Sequence, residues 1–269
     1  MTDDPARPTA LFLSAHLDDV AFSCGGTVAA FRRHGWRVVV ATAFTASVPD
    51  PRGFALACQL DKGLAPDVDY LAIRRAEDAA FGQAIGVDEL IWLGLPEAPH
   101  RNYESASELF GDIRPGDDIA RELTVAVQDI FNRTGPSLIL GPQAVGGHVD
   151  HRQLVKAALK LGSLGARMAW YRDLPYAERF PEALADPDLP GGLIEGVVEL
   201  APADVEAKLV GCACYASQIP FQFGDVPAMR RRLLAFASSE SARLGAGHYA
   251  ESLLCEVHPP IRSPIDRPV

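Results

Sequence analysis

Short apolar runs that end in polar residues alternate along the chain with longer stretches whose apolar positions recur every three or four residues. TALFLSAH (9–16) is apolar enough to be buried on both faces and predicts a strand. GTVAAFRRHG (26–35) predicts a helix with Gly35 just past its end. WRVVVATAF (36–44), ELIWLGLP (89–96), PSLILGP (136–142) and RMAWYRDLPYA (167–177) predict four more strands. Between them lie helices predicted over 73–85, 117–135 and 148–162. EGVVELAP (195–202) suits an edge strand, and 203–218 and 226–245 read as two further helices. Residues 46–70, 97–116 and 179–192 read as loops, and the proline-rich tail from 258 as irregular.

Strand and helix alternating in this way predict an α/β fold, a Rossmann-like and mostly parallel sheet with helices on both faces. No composition shift or repeat breaks the 269 residues, so a single domain is expected over 1–269, with the motif-bearing core at about 9–218 and C-terminal helices at 203–245. At 48% hydrophobic residues the chain can fill a sizeable core. No apolar run reaches the roughly 18 residues of a membrane span. The acidic start MTDDPARPTA lacks the features of a secretory signal, which predicts a cytoplasmic protein. A net charge of −10 argues against a nucleic-acid partner. The run MRRRLL reads as a solvated helix face, and the five scattered cysteines as small reduced residues.

Ligands of open α/β sheets bind beyond the carboxyl ends of the strands. Two dense polar clusters fall at such ends: His16, Asp18 and Asp19 after the first strand, and His148, Asp150 and His151 after the fourth. A histidine and two adjacent carboxylates at the edge of a core cost free energy unless something compensates them, and a divalent cation would. His16, Asp19 and His151 make a two-histidine, one-carboxylate set with room for water, the pattern of a catalytic zinc site. Asp18 diverges from its neighbour and is free to act as general base on a water that zinc acidifies to a pKa near 7. His148, if protonated, can stabilise an oxyanion or protonate a leaving amine, and Asp150 can orient an imidazole. Read alone, HLDD also suits a helix N-terminus, and HVDH a solvated loop. Two such clusters, each after a buried strand, favour the metal reading.

At these residues the chain resembles the LmbE-like, or PIG-L, family of zinc-dependent N-acetyl sugar deacetylases. AHLDDV (15–20) is similar to the family's A-H-P-D-D-E, and His148 to His151 to its H-x-D-H. RRAEDAAFGQAIG (74–86), YRDLPYA (171–177) and KLVGCACYASQ (208–218) resemble three further family segments in the same order. The resemblance implies an amidohydrolase that acts on the linear C–N bond of an N-acylated sugar or glycoconjugate, such as an N-acetylglucosamine unit. It implies one Zn2+ per chain (Fe2+ being the alternative) on His16, Asp19 and His151, with Asp18 as base and His148, supported by Asp150, as its partner. Leu17, Val20 and Arg172 depart from the family pattern, replacing a proline, a glutamate and an acidic residue. Gly146 or Gly147 stands where members acting on a thiol-cofactor sugar carry tyrosine. The AHLDD and DLPYA stretches lean towards members that deacetylate glycopeptide antibiotics.

Arg74, Arg75, His100, Arg101 and Tyr103 are candidate sugar contacts, although Arg74 and Arg75 equally suit ion pairs with Glu77 or Asp78. His248 reads as a loop residue or a closing site residue. The loops 46–70 and 97–116 are expected to choose the substrate, and the motifs leave homo-oligomerisation open. Three other functions compete. A nucleotide-binding Rossmann-like protein is invited by SCGGT, but this is no G-x-G-x-x-G, and the carboxylates oppose a pyrophosphate. A two-metal phosphoesterase lacks ligands for a second ion. A noncatalytic carbohydrate-binding relative has no need of Asp18.

Overall fold

The computed structural model describes residues 7–256. Its strands are β1 (Thr9–Ser14), β2 (Arg37–Phe44), β3 (Glu89–Leu95), β4 (Leu138–Pro142), β5 (Met168–Tyr171), β6 (Ile194–Glu199) and β7 (Ala250–Cys255). Its helices are α1 (Asp19–Arg33), α2 (Gly53–Leu60), α3 (Tyr70–Ile85), α4 (Ala106–Leu109), α5 (Ile119–Thr134), α6 (Val149–Gly162), α7 (Tyr176–Arg179), α8 (Pro202–Cys212), α9 (Ile219–Phe223) and α10 (Val226–Leu244). The proline-rich tail and His258 lie outside the described residues. Among those described, no helix is long and apolar enough to cross a membrane.

The strands form one sheet in the order β3-β2-β1-β4-β5-β7-β6. The first five run parallel, and β7 pairs antiparallel with both β5 and β6. Successive side chains of β1 feed opposite layers: Ala10 and Phe12 pack with α1, α3, α8 and α10, and Leu11 and Leu13 with α5 and α6. This is the expected α/β architecture. The strand order reverses between β1 and β4, which opens a crevice at their carboxyl ends.

Several local readings differ from the expectation, four of them in ways that bear on the architecture. The first helix starts at Asp19 rather than Gly26, because the Asp18 carbonyl already accepts from Phe22 N. The glycine pair lies inside that helix, past a kink at Cys24, for a packing reason. A Cβ on Gly26 would sit 2.5 Å from Leu200 Cδ1, and one on Gly25 3.2 Å from Lys208 Cγ. This close approach lets buried Glu251 of β7 accept from Thr27 N and Thr27 Oγ1, both at 2.6 Å, while pairing with buried Lys208 at 2.6 Å. SCGGT is thus a seat for a buried ion pair. Helix α2 arises in a predicted loop, β7 in a segment given no element, and the fifth strand stops at Tyr171, short of Pro175.

Candidate active site

Both polar clusters open onto the crevice between β1 and β4. After β1 the chain turns tightly: Ser14 Oγ donates to His16 O, and Asp19 Oδ2 accepts from His16 N at 2.6 Å. Asp18 sits between them at φ 135°, a conformation costly for a residue with a Cβ. After β4 two left-handed glycines, Gly146 and Gly147, deliver His148 to the N-terminus of α6, where its Nδ1 accepts from Asp150 N at 3.2 Å. Asp150 and His151 follow in the first turn, both buried.

The fold brings His16, Asp19 and His151 together, with potential ligand atoms within 4.8 Å of one another. Asp19 Oδ2 lies 3.3 Å from His151 Nε2 and 3.6 Å from His16 Nδ1. The other nitrogen of each ring is held by a buried carboxylate. His16 Nε2 lies 2.9 Å from Asp150 Oδ2, and His151 Nδ1 lies 2.6 Å from Asp173 Oδ1. A carboxylate only accepts, so those nitrogens carry a hydrogen, and the facing nitrogens are the ones that would offer lone pairs to an ion beside Asp19 once any second proton is lost. His151 Nε2 is buried without a hydrogen-bond partner among the described residues. His16, His148 and Asp150 also cluster within 4.8 Å, but there His16 Nε2 and Asp150 Oδ2 are bonded to each other.

Burial would lower the His151 pKa, but the charge of Asp19 and the bond to Asp173 outweigh it and hold it up at about 9. Burial pushes Asp18 up to about 7 against the pull of Arg74. Burial and the neighbouring His16 push His148 well below the ordinary value, so it is neutral with its hydrogen on Nε2. Asp150 is held far below the carboxylate range, burial notwithstanding, by the bond from His16 and the charge of Arg101.

Arg74 reaches the site: its guanidinium donates to Leu17 O (2.6 Å), Asp18 Oδ1 (3.0 Å) and Glu97 Oε1 (2.7 Å). The alternative pairing with Glu77 or Asp78 does not occur. Glu77 accepts from Ser217, and Asp78 from Tyr215 and Trp92, which joins α3 to the late YASQ segment. Arg101 and Tyr103 do not line the cavity beside the trio and are engaged within the protein. Both bind Asp117, and Arg101 Nη2 lies 2.8 Å from Asp150 Oδ1 as a brace. Arg75 is tied to Thr45 O and Ser47, His100 does not line the cavity beside the trio, and His248 is exposed in the turn before β7. The carboxylate of Asp150 contacts His16, not the neighbouring His148. Of the departures from the family pattern, Leu17 packs on Tyr70 and Leu71, Val20 joins the core, and Arg172 pairs with Glu240.

A cavity of about 250 Å³ leads to these groups. His16, Asp18, Asp19, His148 and Asp150 line its floor; Phe54, Cys58, Asp61 and Lys62, on and just beyond α2, line a wall, and Phe110 and Phe221 stand at exposed positions on it. Sequence reasoning missed Asp173, Tyr176 and the α2 wall. The signal for Asp173 was its place at the carboxyl end of β5 in YRDLPYA.

Comparison with known proteins fits this geometry. The 2'-N-acetylparomamine deacetylase of Streptomyces fradiae is 32% identical over 250 residues, 91% of this chain and 85% of that one. The zinc-inhibited form of teicoplanin deacetylase Orf2 superposes with a TM-score of 0.79 at 25% identity, over 91% of this chain and 97% of that chain. The A40926 pseudoaglycone deacetylase Dbv21 does so at 0.77 and 25% identity, over 93% and 97%. The model of the PIG-L family, GlcNAc-PI de-N-acetylase, matches residues 11–161, a stretch that holds both polar clusters and the β1–β4 crevice between them, and this protein therefore belongs to the PIG-L family.

Proposed function

We propose that this protein is a metal-dependent hydrolase that removes an N-acetyl group from an aminosugar or a glycoconjugate carrying one. The observation that carries the reading is the His16, Asp19 and His151 trio, in which each imidazole is locked by a carboxylate on one nitrogen and turns the other towards Asp19. The buried, unpartnered His151 Nε2 supports a cation there, since an orphaned polar atom costs about 1–3 kcal/mol. Two imidazoles and one carboxylate with further coordination open are the donor set of catalytic zinc. An ion bound there supplies Lewis-acid polarisation of the acyl carbonyl and makes the attacking water more acidic.

Asp18 stands beside the trio without belonging to it and takes the proton that water loses as its oxygen joins the carbonyl carbon. Arg74 fixes the Asp18 carboxylate by the bond at 3.0 Å. The proton passes to the sugar nitrogen as the C–N bond breaks, leaving acetate and a free amine. Neutral His148 offers an Nε2–H donor at the cavity floor. Relatives named for acetylated paromamine and for teicoplanin support the aminosugar class. The α2 wall and the 97–116 segment, which supplies Glu97, Pro99 and Phe110, are placed to choose what carries the sugar.

The test is elemental analysis with acetate release from N-acetylglucosamine and 2'-N-acetylparomamine. Wild type is expected to hold about one divalent ion per chain. His16→Ala/His151→Ala should lose it, and Asp18→Asn should keep the ion but lose turnover by at least about 100-fold. A wild type that takes up no ion when offered zinc or ferrous iron overturns the reading.

A further inference from the structure

Five of the six tyrosines are accounted for by the fold or lie away from the cavity. The hydroxyls of Tyr70, Tyr103, Tyr171 and Tyr215 are spent on Gln218, Asp117, the Leu13 carbonyl and Asp78. Tyr249 lies before β7 and does not line the cavity. Tyr176 differs. Its side chain forms part of the cavity wall beside the trio, and its hydroxyl has no hydrogen-bond partner among the described residues. Its ring stands edge-on to His151, with centroids 5.8 Å apart, and edge-on to Phe110 at 5.7 Å.

The ring is seated deliberately. A Cβ at position 146 would come within 3.1 Å of Tyr176 Cβ and Cγ, so the glycine there leaves room for the ring as well as supplying φ +88°. A phenol carries one O–H donor and is ordinarily protonated below about pH 10. The cavity therefore offers a hydroxyl that has nothing to donate to among the described residues. An acetamide presents one acceptor, its carbonyl oxygen, and that oxygen gains charge when water adds to the carbon.

We infer that the Tyr176 hydroxyl donates a hydrogen bond to the acyl oxygen of the bound amide and strengthens that bond as the oxygen becomes an oxyanion. The inference rests on the deacetylase reading and adds a catalytic residue to it. No proton is transferred by Tyr176: the phenol keeps its O–H bond while the water proton travels by Asp18 to the leaving nitrogen. Loss of one such donor typically costs about 10²–10³ in kcat.

The experiment is Tyr176→Phe, which keeps the ring on Gly146 and removes one oxygen. With the acetylated aminosugar that wild type turns over, kcat should fall about 100-fold with KM changed less than about threefold. Bound metal and thermal stability should be unchanged. Affinity for a methylphosphonamide analogue of the acetamide, read by calorimetry, should fall at least about tenfold, and affinity for the deacetylated product should not. Unimpaired kcat and analogue binding in Tyr176→Phe, with wild type active, would overturn this inference alone. A raised KM at unchanged kcat would also overturn it, by assigning the hydroxyl to ground-state sugar binding. Wild type that holds metal but releases no acetate would overturn the deacetylase reading and this inference with it.

Discussion

Asp173→Asn separates a residue that tunes a metal ligand from one that merely fills a core. The asparagine has the same shape and no charge. Asp173 is fully buried, and it accepts twice: Oδ1 from His151 Nδ1 at 2.6 Å and Oδ2 from Val145 N at 3.0 Å. Asparagine has one acceptor oxygen and one amide NH2. With the oxygen towards His151, the NH2 opposes the Val145 N–H, donor against donor. Flipped, it opposes the His151 Nδ1–H and favours the tautomer with hydrogen on Nε2, the nitrogen that faces Asp19. The first arrangement leaves a buried donor without an acceptor, at about 1–3 kcal/mol, and the second puts a hydrogen on the nitrogen that should face the ion. The lost orienting bond should weaken metal binding about 10–100-fold, equivalent to about 1.4–2.7 kcal/mol. Competition against a chromogenic chelator reads the affinity, and thermal unfolding of metal-free protein reads the stability separately. Both should fall. A metal-free variant that loses stability while its metal affinity stays within about twofold of wild type would refute the argument that Asp173 sets the His151 tautomer.

Metal uptake should depend on pH, because metal-free His151 holds its proton up to about pH 9 and an ion must expel it. Falling pH favours the protonated site, so log affinity should rise by about one per pH unit from about pH 6.5 to 9 and flatten above. Calorimetry in buffers of different ionisation heat should count about one proton or more released per ion at pH 7, and a pH-independent affinity would remove His151 from the ligand set. In the metal-free protein the same upward shift stabilises the fold fully below pH 6.5, and that contribution disappears as pH climbs through 9. Lys208→Met should leave buried Glu251 without its cation at 2.6 Å, at about 3 kcal/mol. This is the low end of the usual range because Thr27 still donates twice to the carboxylate. Urea unfolding of Lys208→Met should lose far more than that of Lys208→Met/Glu251→Leu, and equal losses would show that the lysine acts by packing alone.

How legible an element was depended on whether its burial was apolar. β1, β2 and β4 are interior strands covered on both faces, so they read as uninterrupted apolar runs. β7 places Glu251 and Ser252 in the interior, where Lys208, Thr27 and Glu240 satisfy them, and a strand with a polar interior does not announce itself. GFALACQL buries only Gln59, so α2 shows no contrast between its faces. The site obeys a similar limit. His16, Asp19, His148 and His151 were legible because each follows a buried strand, and strand ends of this topology face the crevice. Their partners were not, because pairing is settled across the crevice and not along the chain. Neighbouring sequence offers His148 and His151 to Asp150, yet its carboxylate reaches His16, 134 positions away, since a first-turn side chain of α6 points over the β1 loop. His151 in turn takes Asp173 from the next strand over, 22 positions on. Each imidazole is locked by a carboxylate from outside its own loop, so the proposed ligand set can form only when β1, β4 and β5 lie side by side. Assembly of the proposed metal site therefore depends on the switch in strand order: any change that slips β4 against β1 should abolish metal binding before it unfolds the sheet.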